Sequence, residues 1–230
     1  MNRLVLFTFF YYNIPVMSMK KLKILYEDKN ILIINKEPKI LTISDGKTNN
    51  TLYNEVYDYL HKKNQKVFIV HRLDKETSGL IIFAKNEETK NYFQDNWSKV
   101  TRKYYGVVEG KMNKPGTIKE YLTEDKTLKT YATTKDKGKL AITNYEILDS
   151  TKAYTLLDIE ILTGRKNQIR VGLANLKHPL TGDKKYGATK NPINRLALHA
   201  YYLKFTHPKT KEIIEIKDDI PKLFKQIFTK

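Results

Sequence analysis

Residues 71–85 read His71-Arg72-Leu73-Asp74-Lys75-Glu76-Thr77-Ser78-Gly79-Leu80-Ile81-Ile82-Phe83-Ala84-Lys85. The unbroken apolar run Leu80 to Ala84 has the length and composition of a strand buried on both faces. The small residues before it predict a turn, and Asp74 lies just ahead of that turn. The stretch therefore places a carboxylate a few residues from rigid structure, between the cations Arg72 and Lys75. On local charge alone such an acid stays ionised, which suits a nucleophile or a base better than a proton donor.

On either side, Val67 to Val70 predicts a short strand leading into this segment, and Glu87 to Val100 a helix with Asn86 as its cap. Leu22 to Glu27 and Ile31 to Asn35 predict a hairpin turning at Asp28-Lys29-Asn30. Thr51 to Lys62 predicts a helix with Leu52, Val56 and Leu60 on one face. Lys103 to Val108 is strand-like. Residues 111–139 are polar and lysine-rich, and are expected to form turns and short edge strands at the surface. Ala141 to Leu148 and Tyr154 to Leu162 predict paired strands. Arg165 to Leu176 predicts a helix burying Ile169, Leu173 and Leu176, ended by His178-Pro179. Leu196 to Phe205 and Glu212 to Ile216 predict a second hairpin, and Pro221 to Phe228 a short closing helix. Strands fall in hairpins more often than in strand-helix-strand units. The expected class is therefore α+β, a mostly antiparallel mixed central sheet with flanking helices.

With 230 residues the chain can bury a sizeable core, and residues 19–230 are expected to form one domain. Residues 1–18 are apolar and aromatic without a cleavage signal, which reads as an extension or a misassigned start. No segment approaches a membrane span. There is no Cys, which excludes disulfides and Cys-ligated zinc, and the five His residues lack metal-ligand spacing. Walker, Gly-x-Ser-x-Gly and Asp-Phe-Gly sequences are absent.

The net charge of +17 points to a polyanionic partner, since Lys and Arg release counterions from nucleic acid. A lysine-rich proteome would give the same excess as solvated surface. Arginine is the sharper signal. Only six of the 42 basic residues are Arg, and a planar bidentate cation is chosen where Lys would not serve. Arg72 lies in the opening stretch, Arg102 beside Tyr104 at a strand start, Arg165 and Arg170 at a helix start that favours phosphate, and Arg195 at another strand start. Tyr104 reads equally well as core packing, and Arg165 and Arg170 as exposed helix cations.

HRLDKETSGLIIFAKN (71–86) resembles the signature of the RluA-type pseudouridine synthases, which isomerise uridine in ribosomal and transfer RNA. ILYEDKNILIINKEP (24–38), RKYYGVVEG (102–110), TGRKNQIR (163–170), HPLTGDKKYG (178–187) and RLALHAYYLKFTHPKT (195–210) are similar to further family segments, in the family's order. The resemblance implies that Asp74 is the catalytic aspartate, that Tyr104 stacks on the flipped uracil, and that Arg170 pairs with the catalytic carboxylate. It further implies substrate contacts at Arg72, His71, Thr77, Arg165 and Gln168, with Leu198 an apolar wall of the pocket. No cofactor or metal is implied, the partner is RNA, the location is cytoplasmic, and nothing demands more than a monomer. Lys166-Asn167 stands where the family commonly has Thr-His, and Lys36-Glu37-Pro38-Lys39 departs from Lys-Pro-x-Gly. The short stretch before Leu22 implies a catalytic domain alone. Two rivals remain at this stage: an RNA-binding protein that has lost catalysis, for which Asn167 speaks, and a phosphate-binding ribosomal structural protein, which leaves Asp74 unexplained.

Overall fold

A computed structural model describes residues 22–229; the expected extension over residues 1–18 lies outside the described residues. The first hairpin joins β1 (Ile24–Glu27) to β2 (Ile31–Lys36). Its turn is closed by Asp28, whose Oδ1 accepts from the backbone N–H groups of Asn30 and Ile31, both at 2.7 Å. Helix α1 (Leu52–His61) starts at Thr51, whose hydroxyl accepts from the Asn54 N–H. A short β3 (Phe68–Ile69) precedes β4 (Ser78–Ala84), every residue of which is buried. Helix α2 (Glu87–Asn96) is capped by Asn86 and gives way to a 3-10 turn at Trp97–Lys99, earlier than the expected end at Val100.

Strands β5 (Thr101–Glu109), β6 (Gly116–Glu124), β7 (Thr130–Thr133), β8 (Lys139–Ser150) and β9 (Tyr154–Ile161) follow. Helix α3 (Gln168–Asn175), β10 (Leu198–Thr206), β11 (Ile213–Lys217) and the single turn α4 (Lys222–Lys225) complete the fold.

The strands form one mixed sheet in the order β1-β2-β4-β10-β5-β9-β8-β6-β7, with β3 also on β4 and β11 also on β10. Every pairing is antiparallel except β4 with β10, which meet in parallel over His199–Ser78 and Ala200–Gly79 only. Beyond this point the sheet forks, because β10 pairs instead with β11 from Tyr202 to Thr206. The junction depends on Gly79. Its φ is +115°, and a Cβ there would sit 2.1 Å from the Ala200 carbonyl oxygen.

Alternation along the strands builds a core on each face of the sheet. Leu32, Ile34, Ile81 and Phe83 pack with Leu52, Val56 and Leu60 of α1 and with Ile169 and Leu173 of α3. Ile31, Ile33, Leu80 and Ile82 face the other way, onto Phe93 of α2. Phe224 of α4 covers Tyr105, Val107 and Tyr201. The α+β architecture is the one expected.

Two local readings are corrected. Residues 111–139 are not merely turns and short edge strands. They contain the nine-residue β6, paired on one side with β7 and on the other with β8. Its buried Ile118 and Leu122 share a face with Glu120 between them, which breaks the period-two apolar pattern. Helix α3 starts at Gln168 rather than Arg165, because Asn167 adopts a left-handed conformation at φ 51°. Leu176, expected in the core, is 41% exposed just past the helix end.

Candidate active site

On the α1/α3 face of the sheet, the loop before β4, the start of β5, the first residue of β10 and the entry to α3 surround a cleft of about 670 Å³. All nine residues singled out from the sequence line it: His71, Arg72, Asp74, Thr77, Tyr104, Arg165, Gln168, Arg170 and Leu198.

The Asp74 loop is fixed from several sides. The Thr77 N–H closes a turn onto the Asp74 carbonyl at 3.1 Å. Buried Thr42 brackets Leu73, its hydroxyl donating to the Leu73 carbonyl and accepting from the Leu73 N–H. Beneath the loop, fully buried Lys36 donates to the carbonyls of Glu37, Ile40 and Lys75 at 3.0, 2.9 and 3.2 Å. Burial brings the Lys36 ammonium down to about 8, against the pull of Asp74 and Glu76. The segment that departs from Lys-Pro-x-Gly thus still delivers a buried cation under the loop, with Lys39 taking the left-handed position at φ 69°.

Asp74 itself is one-third exposed and reaches Arg170 Nη1 at 3.4 Å. The sequence-adjacent cations Arg72 and Lys75 are exposed, and neither forms an ion pair among the described residues. The charge that faces Asp74 comes from α3, 96 residues along the chain. Arg170 has a second and closer partner. Asp183, 2% exposed, receives Nε and Nη2 at 2.7 Å each in a bidentate pair. Burial works against the Arg170 charge, but Asp183 and then Asp74 outweigh it and hold the guanidinium above its ordinary value. Asn167 completes the set. Its Oδ1 accepts from Arg170 Nη1 at 3.0 Å, and its Nδ2 donates to the Tyr186 hydroxyl at 3.0 Å. Asn tolerates the left-handed backbone at this position, so the departure from Thr-His is accommodated by its own hydrogen bonds.

Tyr104 is buried on the cleft side of β5, and burial, with Asp74 adding and Arg102 opposing, pushes its phenol up to about 12. It is therefore protonated at neutral pH. His71 accepts the Ile82 N–H through Nε2 at 3.0 Å and packs on Trp97 at 4.6 Å between ring centres. Burial and the neighbouring Arg102 bring its imidazole down to about 3, so it stands in the wall as a neutral ring. Gln168 has spent its amide internally. Nε2 donates to the Ile142 carbonyl and Thr143 hydroxyl, while Oε1 accepts from the Thr163 hydroxyl and the Arg165 N–H. With both donors and both acceptor sites used, Gln168 shapes the loop rather than offering bonds to a ligand. Arg165 keeps its guanidinium exposed, tied by Nε to the Leu140 carbonyl. Leu198 supplies an apolar wall, 3% exposed.

Sequence reasoning passed over Asp183, Lys36 and Trp97 as parts of the site, and named Arg102 only as a cation beside Tyr104. Asp183 had one signal, a lone acid ahead of two lysines in Thr181-Gly182-Asp183-Lys184-Lys185. A carboxylate fixed against an arginine, beside a buried tyrosine in a cleft rimmed by cations, can present a held negative charge to one reacting centre of an anionic ligand.

Residues 30–175 match the family described as RNA pseudouridylate synthase. The chain is 40% identical over 210 residues to the uncharacterized RNA pseudouridine synthase YhcT of Bacillus subtilis (strain 168), covering 87% of this chain and 69% of that protein. It is 36% identical over 226 residues to ribosomal large subunit pseudouridine synthase D of Haemophilus influenzae, covering 90% of this chain and 69% of the relative. Among solved structures, human RNA pseudouridylate synthase domain containing 1 superposes with a TM-score of 0.73 at 24% identity, covering 88% of this chain and 84% of that one, which shows a shared fold.

Proposed function

The chain belongs to the RNA pseudouridylate synthase family, and on that premise we propose that it isomerises uridine to pseudouridine in structured RNA, with Asp74 initiating cleavage of the glycosidic bond. The observation that carries the reading is the Asp74–Arg170 pair at 3.4 Å in the cleft lined by Tyr104. The substrate uridine must leave the base stack to reach a carboxylate so placed, at a cost of a few kcal/mol. Stacking on the Tyr104 ring returns about 1–3 kcal/mol. Exposed Arg72, at the mouth of the loop, is suited to fill the gap left in the RNA, and Arg165 to meet the backbone. Arg170, fastened to Asp183, presents one remaining nitrogen to Asp74 and orients the carboxylate. Leu198 and the neutral His71 ring close the base pocket. The C1′–N1 bond breaks, uracil turns and C1′ bonds to C5; the C5 proton then leaves by way of the Tyr104 hydroxyl, and N1 takes up a proton. Thr77 and Gln168 act by holding the two loops in register.

Asn167 does not weaken this reading, because its amide oxygen accepts from the same Arg170 nitrogen that faces Asp74. Ribosomal RNA is the favoured substrate, since the relative from Haemophilus influenzae is named for the large ribosomal subunit. Transfer RNA is the alternative, and either substrate would be met in the cytoplasm, with residues 19–230 forming one catalytic domain that acts as a monomer. Among the described residues no helix is long and apolar enough to cross a membrane. The test is a pseudouridine map of ribosomal and transfer RNA from cells with and without the gene, repeated with purified protein on unmodified transcripts. Sites that vanish with the gene and return with the protein are expected. Identical maps and inert transcripts would rule the activity out.

A further inference from the structure

The charges inside the cleft are not evenly matched. Arg170 is neutralised twice, by Asp183 and by Asp74. Lys166 is paired with Glu124 at the rim. Arg102 also lines the cleft, is only 6% exposed, and has no carboxylate partner among the described residues. Its Nε donates to the Val100 carbonyl at 3.2 Å, and its guanidinium carbon sits 5.3 Å from the centre of the Trp97 ring. The groups behind it, Trp97 and the neutral His71, supply no charge. Nη1 lies against Gly164, where a Cβ would stand 3.0 Å away, so the glycine leaves room for the guanidinium. A buried cation with no counter-charge is strongly unfavourable unless its environment, or an arriving ligand, provides an anion.

We propose that Arg102 is a phosphate-binding residue of the cleft, gripping a backbone phosphodiester next to the extruded nucleotide. The proposal rests on the RNA reading above and specifies which group meets the RNA backbone inside the site. A neutral uracil carbonyl would satisfy a hydrogen bond but leave the charge unmatched. A phosphodiester satisfies both, and its two free oxygens fit the guanidinium fork. The choice of Arg at this position, in a chain that otherwise uses Lys, follows from the same need.

Trp97 is the only tryptophan of the chain and packs against Arg102, so its fluorescence reports on this site without a label. The full-length protein is titrated with oligouridylate, inorganic phosphate and uridine over a potassium chloride series. The two phosphate-bearing probes are expected to change the Trp97 signal through Arg102, whereas any uridine response, passed on by the His71 wall of the base pocket, should not depend on Arg102. Arg102→Gln should abolish the phosphate response and raise the Kd for oligouridylate roughly tenfold or more. It should also reduce the slope of log Kd against log salt by about 0.7, the loss of one phosphate contact to a single strand. Gly164→Ala, which keeps the cation but crowds it, should weaken the response in the same direction. Arg102→Lys should retain the salt slope while binding less tightly, and serves if the Gln variant does not fold. An unchanged Kd and slope in Arg102→Gln would overturn the assignment. So would a uridine response that disappears in Arg102→Gln, which would give Arg102 to the base. Pseudouridine formation is scored separately: a phosphate response that depends on Arg102 in a protein inert on every RNA would refute the enzymatic reading and leave Arg102 a phosphate site.

Discussion

Asp183→Asn keeps the shape of the side chain and removes the charge that holds Arg170. In the wild-type protein Arg170 is 8% exposed and Asp183 2%, and two bonds of 2.7 Å join them. The Asn amide replaces one acceptor oxygen with an NH2 group, which faces a guanidinium that can only donate. Arg170 is left with the Asn167 carbonyl and with Asp74, the latter 3.4 Å away and one-third exposed. Breaking a buried pair by removing one partner costs about 3–5 kcal/mol. The surviving partners place this case near the lower end, about 3 kcal/mol. For a chain of this size, about 2–4 °C of melting temperature is lost per kcal/mol, giving a fall of about 6–12 °C. The freed guanidinium is also expected to draw closer to Asp74, so turnover should drop while RNA affinity changes little. Thermal unfolding of the two proteins, followed by turnover and binding measured well below both transitions, decides it. A variant that melts within about 2 °C of wild type and turns over normally would show that Asp183 does not organise the site.

Three further outcomes follow from the same geometry. His71 is neutral in the fold, down to about 3 against 6.5 for a free side chain. Between those values the unfolded chain takes a proton that the folded one refuses. Its contribution is therefore intact above about pH 6.5 and is lost as pH falls toward 3. His71→Gln keeps an acceptor for the Ile82 N–H, and its stability should decline less steeply than wild type over that window in pH-dependent denaturant melts; parallel curves would count against a buried neutral imidazole. Gly79→Ala combines a positive φ with a Cβ 2.1 Å from backbone, so it should lose more than about 4 kcal/mol and yield little folded protein; a stable, soluble Ala variant would contradict the tight β4–β10 junction. Tyr104→Phe retains the stacking ring but not the hydroxyl, so kcat should fall at nearly unchanged RNA Kd, and a loss confined to Kd would assign the hydroxyl to binding alone.

Much of this was legible in the chain because some signals are local. Ile31 to Asn35 and Leu80 to Ala84 declare buried strands by composition, Asn86 declares a cap, and Leu52, Val56 and Leu60 declare one helix face. Strand β6 was obscured because only Ile118 and Leu122 mark its buried side, with Glu120 between them. The start of α3 was misplaced because Asn167 turns the backbone left-handed before the helix begins. The parallel β4–β10 contact has no local mark beyond Gly79, whose purpose emerges only when Ala200 lies against it. The environment of Asp74 illustrates the same limit. Its sequence neighbours Arg72 and Lys75 suggested a carboxylate held by adjacent charge, whereas the cation it meets is Arg170, itself anchored to Asp183. That three-body arrangement is set by how α3 packs on the sheet, and no spacing in the sequence encodes it. The family resemblance supplied Arg170 as a partner but left Asp183, Lys36 and Arg102 unassigned.

The proposed mechanism rests on Asp74 performing the chemistry in a site whose RNA binding is built from other residues. Asp74→Asn removes the charge with little change in volume. Pseudouridine formation on the RNA identified by mapping, measured together with the Kd of the same RNA, is the direct test. Loss of all detectable product at a Kd close to wild type is the predicted result; an Asn variant that forms pseudouridine at the wild-type rate would contradict the account.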